Sequence, residues 1–212
     1  MATFNRKKIL FITQFSILLA IEAVVCFTPL GSLPALGPIV ATLSHVPVIV
    51  AAIILGPLAG SLLGFSFGLF SFLVWTFMPP FAPIAFVFTP IAGVGAMQGN
   101  LWSLVIVFVP RILIGLVAGW VFRLLANGSR RDFAAAALAG VLGTLVNTLL
   151  VLGGIWLFFG GSYAAAAEFP YETILAVIGA TILTSGIPEA VLGGFAGSGV
   201  ALPVKRSMSK AA

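Results

Sequence analysis

Across residues 9–28 the chain carries one charge, that of Glu22, and apolar runs of similar length recur to residue 200. About 20 apolar residues rising 1.5 Å each match the ~30 Å hydrocarbon layer of a membrane, so each run reads as a spanning helix. Six segments are expected: 9–28, 42–55, Pro57–Phe77, Leu101–Leu125, 133–159 and 171–200. With 61% hydrophobic and 7% charged residues in 212 positions, little sequence remains for a soluble domain. The expected architecture is an all-α integral membrane protein of six transmembrane helices, folded as a single domain over 1–212.

Nine of the ten basic residues fall in three groups: Arg6, Lys7 and Lys8; Arg123, Arg130 and Arg131; Lys205, Arg206 and Lys210. Positive charge collects on the cytoplasmic flanks of spans. Six crossings put all nine on that side, with both termini cytoplasmic, whereas five would expose one group outside. The net charge of +5 therefore reflects topology, and nucleic acid is not an expected partner. Arg6-Lys7-Lys8 before an apolar run resembles a signal peptide, but no small-residue cleavage site follows, so the segment is read as an uncleaved first span. These features read as a multi-pass protein of the cell membrane.

The outer segments 29–41, 78–100 and 160–170 hold no basic residue. Nine of the thirteen prolines lie between Pro29 and Pro90, which predicts short helices and ordered irregular loops. Such backbone survives at membrane depth only where protein or a cavity covers it. The stretch from Met78 through Pro90 is apolar, which suits either a lid over an outward pocket or a re-entrant packing element.

Several chemistries are set aside by what the chain lacks. No Gly-x-x-x-x-Gly-Lys-Ser/Thr motif occurs, so energy for active transport would come from another protein. His45 is the only histidine and Cys26 the only cysteine, which leaves no set of ligands for a metal and no disulfide. No Gly-x-Ser-x-Gly elbow accompanies Ser44-His45. Neither enzymatic activity nor a cofactor is expected.

Arg111 is the tenth basic residue, and it sits about 15 Å into its span at 1.5 Å per residue. A charge at that depth costs ~2.5 to 3.5 kcal/mol on insertion scales, and its guanidinium is a rigid fork of donors matched to carboxylate or phosphate. Asn147, Thr42, Ser44 and His45 fall at compatible depths. Together with Arg111 they can line a pocket in the outer half. Pro110 leaves a carbonyl of the preceding turn without its backbone donor, a further possible contact. Arg111 can equally be an internal ion pair with Glu22 or Glu189, and Asn147 can be helix glue. Small residues form three stripes: Gly60, Gly64, Gly68 and Ser71; Gly140, Gly143, Asn147 and Gly154; Thr13, Ser16, Ala20 and Ala23. Such stripes serve internal packing or docking to another membrane subunit, so a non-transporting scaffold is the alternative to a transporter.

The block from Ala41-Thr42-Leu43-Ser44-His45-Val46-Pro47 to Leu55-Gly56-Pro57, with Gly60, Gly64, Phe67-Gly68 and Ser71 after it, resembles the S components of energy-coupling factor (ECF) vitamin transporters. Within that family it is most similar to the pantothenate-type branch. Phe27-Thr28-Pro29-Leu30-Gly31, Val109-Pro110-Arg111-Ile112-Leu113-Ile114-Gly115 and Asn147-Thr148 fit the same pattern. The resemblance implies a six-helix substrate-binding subunit that docks on a transmembrane coupling subunit driven by two cytosolic ABC ATPases and delivers its vitamin by toppling. It also implies that an Ala-x-x-x-Ala-like pair on the first span, here Ser16 and Ala20, touches the coupling subunit. Related subunits take riboflavin, folate, thiamine, biotin or pyridoxine derivatives; the expectation here is pantothenate, with Arg111 on its carboxylate and Asn147, Thr42 and His45 as polar contacts.

Overall fold

The computed structural model describes residues 2–28, 43–128 and 131–211. Thr42 and the outer segment 29–41 lie outside them. The chain runs through α1 (Ala2–Phe27), α2 (His45–Leu55), α3 (Pro57–Phe77), α4 (Leu101–Leu125) and α5 (Arg131–Ala166). A C-terminal helical stretch follows, opening with a 3-10 turn at Tyr171–Thr173 and continuing through α6 (Ile174–Thr181), α7 (Ile187–Phe195) and α8 (Leu202–Ala211). Two π-helical turns, Ile182–Gly186 and Ala196–Ala201, join those last three pieces.

Among the described residues, five helices are long and apolar enough to cross a membrane: Arg6–Phe27, Pro57–Phe77, Leu101–Leu125, Arg131–Ala166 and Tyr171–Met208. The expected all-α architecture holds at that level. The second predicted span is shorter, because α2 has 11 residues and so rises only about 16 Å. It is nevertheless buried along nearly its whole length, with Val48, Ile49, Ala51 and Ile53 wholly inaccessible. Gly56 ends α2 with φ 104°, which side chains rarely adopt, and Pro57 then opens α3 without needing a backbone donor.

Small residues set the helix spacing, in place of the hydrophobic drive that lipid removes. Along α3 and α4, Gly60 lies against Gly115, Gly64 against the Arg111 carbonyl, and Gly68 against Phe108; a Cβ on Gly68 would stand 2.8 Å from that ring. On α5, Gly140 meets the backbone of Gly193 in α7, and Gly143 faces Ala118 of α4.

The segment between α3 and α4 is part of the core. Its 3-10 turn (Ala82–Val87) buries Ile84, Ala85, Phe86 and Val87, and a two-residue hairpin pairs β1 (Gly93–Val94) with β2 (Met97–Gln98). This hairpin departs from the purely helical expectation. Ser103 Oγ accepts the Asn100 amide at 3.1 Å and donates to the Phe86 carbonyl at 2.7 Å, so the capping box of α4 also fastens the segment. Two apolar clusters result. One centres on α2 with Leu63, Phe67 and Ile114; the other joins Phe86, Val87 and Phe88 to Ile106, Leu152 and Phe159.

At the far end of the bundle, Arg206 pairs with Asp132 at 3.6 Å, and the Lys205 ammonium donates to the Ile53 carbonyl at the end of α2. Gln14 Nε2 contacts Met208 Sδ at 3.7 Å. These contacts bring the start of α5 and the basic C-terminal stretch together, with α1 alongside.

Candidate ligand cavity

A cavity of about 120 Å³ lies where the two apolar clusters meet, for Phe67 belongs to the first and Phe88, Val151 and Leu152 to the second, and all four line it. Its polar lining is drawn from across the fold. Arg111 projects from α4, Asn147 and Thr148 from α5, Ser185 and Gly186 from the first π turn, Glu189 from α7, and Ser44 from the residue before α2. Trp75 of α3 and Pro80, Ile84 and Phe88 of the following segment complete a wall. Trp75 and Phe88 stack with centroids 4.5 Å apart. The 78–100 segment thus packs into the core and also forms part of the cavity wall.

Arg111 is buried. Its Nη1 donates to the Ile106 carbonyl at 2.8 Å, and its guanidinium carbon lies 5.5 Å from the Phe67 ring centre and 5.7 Å from that of Phe88. Its Nε has no hydrogen-bond partner. Of the two carboxylates weighed as partners, Glu189 shares the cavity, and its Oε2 accepts from Thr148 Oγ1 at 3.5 Å. Glu22 is wholly buried on α1, where its Oε1 accepts from Cys26 Sγ at 3.2 Å; Cys26, not Glu22, reaches the lining. Asn147 Oδ1 is buried and without a hydrogen-bond partner.

The structure therefore brings Arg111 and Asn147 into one cavity. His45 is buried at the first turn of α2 but is not among the lining residues, whereas its neighbour Ser44 is. Ser16 and Ala20 are both exposed on α1. Glu189 entered the sequence reading only as an ion-pair partner, and Thr148, Ser185, Trp75 and Phe88 were absent from its site. A clue existed for Glu189, since an ionisable residue within a span is itself a functional signal.

Chemically, a chamber with one guanidinium fork, amide and hydroxyl groups and a carboxylate can hold a small molecule that bears an anionic group beside hydrogen-bonding groups. A bundle of spanning helices around such a chamber defines a multi-pass membrane protein that binds a small solute. Residues 10–196 match the family described as ECF transporter, substrate-specific component. The chain belongs to that family: it is a transporter subunit, not an enzyme. It is also 39% identical, over 161 residues covering 73% of this chain and 79% of the relative, to the pantothenic acid transporter PanT of Lactococcus lactis subsp. cremoris.

Proposed function

We propose that the substrate is pantothenate, taken up at the outer face, with Arg111 as the anchor of its carboxylate. One observation carries this reading: a buried guanidinium lines a cavity with its Nε–H unused, beside an Asn147 oxygen that also lacks a partner. Buried polar groups in folded proteins are nearly always satisfied, so two orphans on residues that line one cavity point to a ligand that completes them. The name of the relative supports the choice of vitamin. Asn147 bonds the ligand's amide or hydroxyl groups, and Thr42 and His45 complete the outer end of the site. The molecule crosses the membrane six times as one domain, with both termini cytoplasmic. The meeting of Arg206 with Asp132 supports a common side for the second and third basic groups. Family membership supports delivery through a transmembrane coupling subunit and two ABC ATPases, with the exposed Ser16 and Ala20 of α1 as a contact.

The test is calorimetric titration of the purified subunit with a panel of pantothenate, riboflavin, folate, thiamine, biotin and pyridoxine. Nanomolar to micromolar binding of pantothenate alone is expected, reduced at least about 30-fold by Arg111→Ala, since truncating one side of a buried charge contact costs roughly 2 to 5 kcal/mol. Binding of a different vitamin, or of pantothenate undiminished in the variant, overturns the substrate or the anchor respectively.

A further inference from the structure

Pro110 stands in the interior of α4, where proline is the least favourable residue a helix can hold. Having no N–H, it cannot donate to the carbonyl four residues earlier, which is that of Ile106, and its ring crowds that same oxygen. In the structure the Ile106 carbonyl accepts Arg111 Nη1 at 2.8 Å. The residue that frees the acceptor and the residue that uses it are therefore neighbours, both buried, and α4 continues through them without a break. Resting on the reading of Arg111 as the carboxylate anchor, we infer that Pro110 is a positioning residue for anion binding.

The geometry explains how. A guanidinium is planar and carries five N–H donors, so its orientation is set by where its plane lies and how it is turned within that plane. Phe67 and Phe88 contribute to the first, at 5.5 and 5.7 Å. The Nη1 bond to Ile106 fixes the second and leaves the edge bearing Nε, which has no partner, for the two oxygens of a carboxylate. An ordinary residue at position 110 would place its own N–H on the Ile106 carbonyl. Arg111 would then share that acceptor or turn away from it, and the fork would lose its preset angle.

The test separates the carboxylate contact from everything else by using two ligands, pantothenate and panthenol, its neutral alcohol counterpart. Dissociation constants are measured for the wild type, Pro110→Ala, Arg111→Ala and the double variant, with thermal unfolding alongside. Pro110→Ala is expected to weaken pantothenate about tenfold, to leave panthenol within about twofold and to raise the unfolding temperature, because a helix hydrogen bond is restored. In the Arg111→Ala background the same substitution is expected to change neither affinity, the sign of two residues acting as one unit. A pantothenate-to-panthenol preference that Arg111→Ala abolishes but Pro110→Ala leaves unchanged overturns the positioning role while keeping the anchor. Equal losses for both ligands in Pro110→Ala overturn it as well, marking general damage to α4. A preference that Arg111→Ala does not move removes the anchor, and the role of Pro110 goes with it.

Discussion

A charged residue in a spanning helix must find in the protein what lipid cannot supply. Arg111 donates to a neutral carbonyl, lies against two ring faces and shares its cavity with the Glu189 carboxylate. Contacts with rings are worth about 0.5 to 2 kcal/mol, so they hold the guanidinium without matching a carboxylate. The distinction between fork and point charge then becomes measurable. Arg111→Lys keeps the charge but loses both the paired donors and the planar fit against the rings, and pantothenate affinity is expected to fall about 10- to 100-fold by calorimetry, or roughly 1.4 to 2.8 kcal/mol. Asn147 offers the complementary case. Its buried Oδ1 has no hydrogen bond to lose in the free protein, so Asn147→Ala is expected to weaken the ligand about fivefold, near 1 kcal/mol for one neutral hydrogen bond. Thermal unfolding of the unliganded protein should be unchanged or slightly higher. A clear drop in unfolding temperature would instead make Asn147 a packing residue.

The orientation of Arg111 depends in turn on how closely α3 approaches α4. Gly64 lies against the Arg111 carbonyl, and a Cβ there would collide with that backbone oxygen, which cannot step aside as a side chain can. Gly64→Ala is therefore expected to cost about 1 to 3 kcal/mol of stability and to weaken ligand binding, both read on the purified subunit. Gly153→Ala is the matched control. Nothing lies within 4 Å of a Cβ at that position on α5, so affinity should not change and stability should hold or rise by up to about 1 kcal/mol, the difference in helix propensity. Gly64 was visible in the sequence as part of a stripe at helical spacing, as were the depth of Arg111 and the apolar character of every span. Other parts of the cavity were hidden, each for a physical reason. Phe88 reaches the cavity because a proline-rich segment folds back among the helices, a tertiary event with no local signature. His45 and Ser44 are adjacent in sequence, and a depth estimate could not tell which of them faces the chamber.

At the scale of the whole molecule, α1 stands apart from the bundle. Of its most apolar window only 6% is buried, and it holds on through Phe15, Leu18 and Leu19 together with the buried Glu22. Ile9, Ile12, Ile17, Ile21 and Val24 all face outward. Lipid can cover such a surface, but lipid does not call for small side chains, whereas a second helix approaching closely does. Ser16 and Ala20 lie four residues apart on the exposed side, so a bulky group there should obstruct a partner while leaving the fold intact. Ala20→Trp is accordingly expected to retain the wild-type affinity for pantothenate and its unfolding temperature, because neither residue lines the cavity. The same variant, co-expressed with the coupling subunit and the two ATPases, should be recovered without them on affinity purification and should fail to support uptake in cells. Loss of ligand binding in Ala20→Trp would mean that α1 shapes the cavity through Cys26, which lines it two turns further on. Undiminished recovery of the complex would move the coupling contact off this face of α1.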